Sequence, residues 1–464
     1  MHLILASGIP GAQADPVVPI LIALVLLTVA AALGARLMTL VNQPAVLGEL
    51  MVGLVIGNLA YWLGNPGMTV LREGEGLRQI ANLALSSSLS LSQAALRILP
   101  PGPDAVRVSG LLGGAQGIDY IAVYTFIDLL ARIAILVLLF LVGLETSLRE
   151  MKRVGGAAFR VALIGVVLPM VLGLETMRLL HPASDLARDL FIGGILTATS
   201  VGITARVLRD LRQDTTGEAR VILGAAVLDD VLSLIVLAVV SALAVTGTVN
   251  LWQIGWTSAK AALFLAGSLS IGIWISPWAI RRLAAAGIHN VKLLAGWTFA
   301  FFLAWLARRA GLAAIVGAFA AGMILNEAFE KDPGEDTNSI SLRELLSPVE
   351  SLIVPLFFVW MGIQVKLEAL ATKEALIAGG LLTGVAILGK VASGFGCPKG
   401  MNRLAVGFGM MPRGEVGLIF AGIGKSIGVV DDSLFSAVIL IVMVTTLLTP
   451  VALRWTVQPK PNVI

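Results

Sequence analysis

Runs of about twenty predominantly apolar residues recur from one end of this 464-residue chain to the other. A backbone that crosses a bilayer must satisfy its N–H and C=O groups internally, which leaves the α-helix or the closed β-barrel. A barrel needs segments of about ten residues with alternating polarity, whereas the runs here are continuous. Only 13% of the residues are charged and 57% are hydrophobic, too little polar surface for a soluble protein of this length. The chain therefore reads as an all-α polytopic membrane protein, with lipid as its obligatory partner. Breaks rich in charge, Gly or Pro predict about thirteen spans, at 17–41, 46–64, 126–146, 156–180, 188–209, 218–245, 251–277, 291–308, 312–326, 346–366, 374–396, 402–426 and 432–456.

Composition also narrows the function. One cysteine, Cys397, excludes an internal disulfide framework, and three histidines make an imidazole-based metal centre a poor expectation. The net charge of +4 is spread over loops, with no basic stripe and no zinc spacing, so no nucleic-acid partner is expected. Neither a nucleophile nor a metal cluster stands near a membrane interface, which argues against an enzyme. The N-terminal "MHLILASGIPGAQADP" lacks the basic region of a signal peptide and reads as a short tail. Placing "REMKR" (149–153) in the cytoplasm puts more of the loop Lys and Arg on that side, with the N-terminus outside and the C-terminus inside.

Residues 65–125 stand apart. They are rich in Gly, Ser and Pro around "ILPPGPD" and contain the amphipathic "LRQIANLALSSSLSLSQAALRIL". The expectation is a partly ordered extracytoplasmic insertion with an interfacial helix; a lid over the outer entrance is the alternative.

Two halves of the chain can be laid over one another. "AVLGELMVGLVIG" (45–57) resembles "AIVGAFAAGMILN" (314–326), "GLETSL" (143–148) resembles "GIQVKL" (362–367), and "TATSVGITA" (197–205) lies over "PRGEVGLIF" (412–420). The repeats start at the first and eighth spans. An odd separation inverts the second copy in the membrane, the architecture of secondary transporters with a midplane ion site. The expected organisation is a single transporter unit over 1–464. It has a first repeat at 17–245 carrying the insertion, a linker helix at 251–277 and a second repeat at 291–456.

The strongest chemical signal is "ILGAAVLDDVLSLIVLAVVSAL" (222–243), which sets Asp229 and Asp230 in the middle of a spanning run. Each charge at that depth costs roughly 3 kcal/mol on insertion by the gentlest scale, so two of them imply function. The pair lies about 100° apart around a helix, and its protonation is coupled. The positive candidate is Lys390 in "AILGKVASGF"; the residues alone leave open which aspartate it meets, and the alternative is a lysine that snorkels from a span end. "LTATSVGITARV" and "GMMPRGEVGLIFAG" both read as broken helices at equivalent places in the two repeats. Thr199 and Ser200 offer hard oxygens suited to Na+ or Li+, or else cap the broken end. Arg413 and Glu415 read as an ion pair holding the second break together.

These segments together resemble the cation:proton antiporter-2 family, and most closely its NapA-type Na+/H+ antiporters. The resemblance is carried by "QPAVLGELMVGLVIGN", "FLVGLE", "TATSVGITARVL", "ILGAAVLDDVLSLIVLA", "IVGAFAAGMIL", "FFVWMGIQV", the lysine of "LGK" and "MPRGEVGLIF". It covers nearly all the spans; only 65–125 departs from it. The resemblance implies an inverted-repeat fold with two unwound crossing helices, a dimerisation domain and a moving core, hence a homodimer. It implies exchange of Na+ or Li+ for H+, serving pH homeostasis, with no cofactor besides the transported ions.

Carried over by position, Asp230 is the main cation and proton carboxylate, Asp229 pairs with Lys390, Thr199 and Ser200 line the site, and Arg413 and Glu415 are the charges of the second crossing helix. Two aspartates resemble the electrogenic type. The chain ends soon after "TPVALRWTVQPKPNVI", so no nucleotide-binding domain of the potassium-efflux kind is expected. The alternatives are K+/H+ exchange on the same fold and sodium-coupled symport of a small organic anion. The expected membrane is the bacterial inner membrane, with the cyanobacterial thylakoid as the alternative.

Overall fold

The computed structural model describes residues 17–41, 43, 45–99, 101–145, 155–182, 184–200, 204, 207–208, 211, 213, 216–246, 251–285, 291–330, 341–371 and 373–456. "REMKR", used above to orient the chain, and most of "SVGITARV" lie outside them. All regular structure among the described residues is helical. In chain order the α-helices are α1 (Val17–Leu40), α2 (Ala45–Trp62), α3 (Pro66–Leu71), α4 (Glu75–Ser86), α5 (Leu91–Ile98) and α6 (Pro103–Gly113). There follow α7 (Gly117–Glu145), α8 (Gly156–Leu180), α9 (Leu186–Ile195), α10 (Gly217–Thr246), α11 (Leu251–Ala285) and α12 (Val291–Arg309). The last six are α13 (Ala314–Glu330), α14 (Leu342–Ile363), α15 (Lys373–Val391), α16 (Arg403–Gly409), α17 (Glu415–Ser426) and α18 (Asp432–Thr456). Among the described residues ten helices are long and apolar enough to cross a membrane, and the chain is an integral membrane protein.

Two boundaries differ from the sequence reading by eight residues or more. The third span begins at Gly117 and not at 126, and the helix expected to end at 277 runs on to Ala285. The insertion is therefore shorter than expected, and it is built of four helices, α3 to α6. A capping box of Ser90 and Gln93 starts α5, and Asn65 caps α3 ahead of Pro66. Short amphipathic helices of this kind gain their order from caps and packing, because so few turns cannot hold themselves.

The chain divides into two compact units, Met1–Ile135 with Val349–Glu368, and Leu136–Pro348 with Ala369–Ile464. In the first, small residues set the helix crossings. A Cβ on Gly34 of α1 or on Gly48 of α2 would overlap the other's carbonyl, and Gly53 and Gly57 of α2 lie equally close to the carbonyls of Val359 and Ile363 in α14. Without a hydrophobic drive between helices in lipid, close backbone approach is what binds them.

A polar cluster ties the insertion to the end of α14. Arg72 is 1% exposed and donates to both carboxylate oxygens of Glu368 at 2.8 Å and to Asn58 Oδ1 at 2.9 Å. Its guanidinium also lies over the Tyr61 ring, 4.2 Å from the centroid. Lys366 meets Glu73 at 2.9 Å.

The second unit holds the aspartate pair. Gly143 of α7 packs on the Phe319 carbonyl and Gly322 of α13 on the Phe140 carbonyl. Apolar residues of α8, α10 and α16 (Val161, Ala162, Ile222, Ala225, Ala226 and Val406), with Met410 just past the end of α16, form one buried cluster. That cluster fixes α10 one turn before Asp229.

Candidate functional site

Asp229 and Asp230 sit near the middle of α10, and the packing of that helix decides which way each points. Asp229 is completely buried and Asp230 is 8% exposed. Lys390, on the last turn of α15, is also completely buried and donates to Asp229 Oδ1 at 2.8 Å. The lysine therefore does not snorkel. The aspartate it meets is Asp229, while Asp230 lies near enough to act on the ammonium through space. The second oxygen of Asp229 makes no hydrogen bond among the described residues.

The two predicted breaks are real interruptions, and they are bonded to each other. α9 ends at Ile195 and the chain is irregular through Ser200; α16 ends at Gly409 and α17 resumes only at Glu415. Broken helices leave carbonyls without intrahelical donors, and in an apolar interior each must find another. The Ser200 N–H donates to the Pro412 carbonyl at 2.8 Å. The Thr199 hydroxyl donates to Met410 O at 3.2 Å, and the Thr204 hydroxyl to Gly409 O at 2.7 Å. Thr199 also faces the Asp229 carboxylate.

Arg413, 1% exposed, carries the rest of this work. It donates to the carbonyl of Ala198 at 2.9 Å and to that of Ala386 at 3.1 Å, linking the first break to α15. Its own carbonyl accepts from the Thr446 hydroxyl of α18 at 2.6 Å. The Arg413–Glu415 ion pair read from sequence cannot be placed, because the Glu415 side chain lies outside the described residues. What Arg413 holds is backbone. It also acts through space on Asp229 and Lys390, so the site gathers two carboxylates and two cations. Among the described residues no group of three or more His, Cys, Asp or Glu comes together as a metal centre.

A family model described as "Sodium/hydrogen exchanger, transmembrane" matches residues 20–458. The chain belongs to the sodium/hydrogen exchanger family. Among its relatives, the "High-affinity Na(+)/H(+) antiporter NhaS3" of Synechocystis sp. is 36% identical over 94% of this chain and 89% of the relative. The "Na(+)/H(+)-K(+) antiporter GerN" of Bacillus cereus is 31% identical over 84% of this chain and 98% of the relative. The solved sodium proton antiporter MjNhaP1 of Methanocaldococcus jannaschii shares the fold, with a TM-score of 0.59 at 16% identity over 94% of this chain and 96% of that one.

Several members of this exchanger's polar network were not singled out in the sequence. Thr204 lies four residues beyond Ser200 in the quoted break, and Thr446 follows Thr445 in a spanning run, where a threonine is commonly bonded to its own helix; only the breaks opposite them reveal their acceptors. Arg72 itself lies in the one segment that departs from the family resemblance, and its partners lie outside it.

Proposed function

We propose that this exchanger moves Na+ or Li+ one way and H+ the other, with cation and proton competing for Asp230. The observation that carries the reading is the buried Lys390–Asp229 pair with Asp230 beside it, set against two helix breaks whose free carbonyls and hydroxyls supply hard oxygens. Deprotonated Asp230 takes the cation from one face, the site is re-exposed to the other, and a proton replaces the cation. Asp229, Thr199 and Ser200 complete the lining. With Lys390 also exchanging a proton, two H+ pass for each Na+, and the exchange is electrogenic. The matching breaks in the two sequence repeats support an inverted-repeat transporter. The family resemblance further supports a homodimer in the bacterial inner membrane.

K+ is the second reading. The relative GerN is named as a Na(+)/H(+)-K(+) antiporter, and the same carboxylates in a slightly wider site would accept the larger ion.

Reconstitution with a trapped pH dye tests both. A pH gradient is imposed and Na+, Li+ or K+ is added, with membrane potential clamped by valinomycin or left free. A Na+-driven pH change that shifts with potential is expected. A response to K+ alone transfers the site to the second reading, and no response to any cation removes proton coupling altogether.

A further inference from the structure

A proline inside a helix withdraws the hydrogen bond owed to the carbonyl four residues earlier. In α8 the proline is Pro169, and the carbonyl is that of Gly165. Both residues are buried on the face of α8 that meets α15. A Cβ on Gly389 would fall 2.8 Å from the Pro169 ring and 3.0 Å from its nitrogen, the atom that cannot donate. A Cβ on Gly165 would stand 3.7 Å from Lys390 Nζ, 3.9 Å from Asp229 Oδ1 and 3.4 Å from Ser393 Cβ. The carbonyl without its helical donor thus belongs to an α8 residue whose position borders the ion pair. Ser393, one turn beyond Lys390, is completely buried, and its hydroxyl makes no hydrogen bond among the described residues. The ammonium itself has three donors, one of which goes to Asp229.

We propose that the Gly165 carbonyl and the Ser393 hydroxyl form a second acceptor station for the Lys390 ammonium, used whenever Asp229 turns to another partner. The inference rests on the exchange reading, because it supposes that Asp229 releases Lys390 during the cycle. A buried ammonium left without an acceptor is expensive. The second station holds the charged ammonium in the interval between its release from Asp229 and the loss of its proton. Glycine at 165 leaves the space for that movement, and proline at 169 keeps the carbonyl open. Gly165, Pro169 and Ser393 are positioning residues in this scheme; they act through Lys390.

Pro169→Ala and Pro169→Val both return an N–H to the Gly165 carbonyl, and valine nearly keeps the bulk of the ring. Both are expected to raise the Na+ KM about tenfold in proteoliposomes, the loss of one hydrogen bond to a charged group, with little change in kcat. Gly165→Ala, whose methyl fits at ordinary contact distances, and Ser393→Ala raise KM in the same direction without altering the proline. Wild-type KM in Pro169→Val with a lowered melting temperature in Pro169→Ala alone would reduce Pro169 to packing and overturn the proposal. Wild-type KM in Gly165→Ala and Ser393→Ala would overturn it as well. A failure of the exchange reading shows separately, as absence of Na+-driven proton movement in the unsubstituted protein, and takes this inference with it.

Discussion

Lys390 and Asp229 meet at 2.8 Å, and neither side chain has any exposed surface. Two charges withdrawn from water offset each other only while both are present. Lys390→Met therefore leaves Asp229 uncompensated and is expected to cost about 3–5 kcal/mol. Thermal unfolding in detergent measures it, and the double variant Lys390→Met with Asp229→Asn should recover part of the loss. Equal melting temperatures for the single and double variants would mean that the pair is not energetically coupled.

Arg413 bridges the carbonyls of Ala198 and Ala386. Arg413→Lys keeps the charge but not the planar fork, so one carbonyl is left bare at a cost of about 1–3 kcal/mol. Thr446→Val and Thr204→Val each remove one hydroxyl from a break and should cost about 1 kcal/mol. The three variants are read as shifts in melting temperature. Arg413→Lys melting like the wild-type protein would show that charge, not reach, is what the break requires.

How far could all this be read in the chain itself? Span limits were legible wherever apolar length alone decides them: the run at 156–180 is the helix Gly156–Leu180, and the run at 432–456 is Asp432–Thr456. The start of α7 was hidden because its first turns, "GIDYIAVYT" (117–125), carry Asp119 and follow directly on the Gly-rich "GLLGGAQ" of the insertion. Adjacent aspartates point in different directions around a helix, so the partner of Lys390 depended on how α10 packs against α15, which no local pattern encodes. Arg413 was read with its neighbour in sequence, Glu415. Its acceptors turn out to be carbonyls that exist only because two helices break, one of them far away in the chain. Pro169 and Gly165 were present as letters, but their meaning comes from the lysine across the interface.

In the first unit, Arg72 joins Glu368, Asn58 and Tyr61 across the insertion. Arg72→Met removes the ionic partner of Glu368 and one of the two donors to Asn58 Oδ1, which keeps the Leu367 N–H, and it should lower stability by about 1–2 kcal/mol. Limited proteolysis gives a local readout, since loosening this cluster should speed cleavage between α3 and α6. Unchanged cleavage would mean that the insertion is held in place without Arg72.

The competition proposed at Asp230 fixes the sign of the pH dependence. A proton on Asp230 excludes the cation, so the apparent KM for Na+ should rise as the pH falls, while the rate at saturating Na+ changes less. Transport measured across a series of symmetrical pH values checks this. A KM independent of pH, with only the maximal rate falling, would place proton and cation at separate sites.

The most direct test is Asp230→Asn, which keeps the shape and removes the charge. Radioactive Na+ uptake and proton movement are followed in the same vesicles, beside the wild-type protein, with melting temperature as the check on folding. The account predicts that both fluxes disappear together while the protein remains folded. Na+-driven proton movement that persists in Asp230→Asn would contradict it.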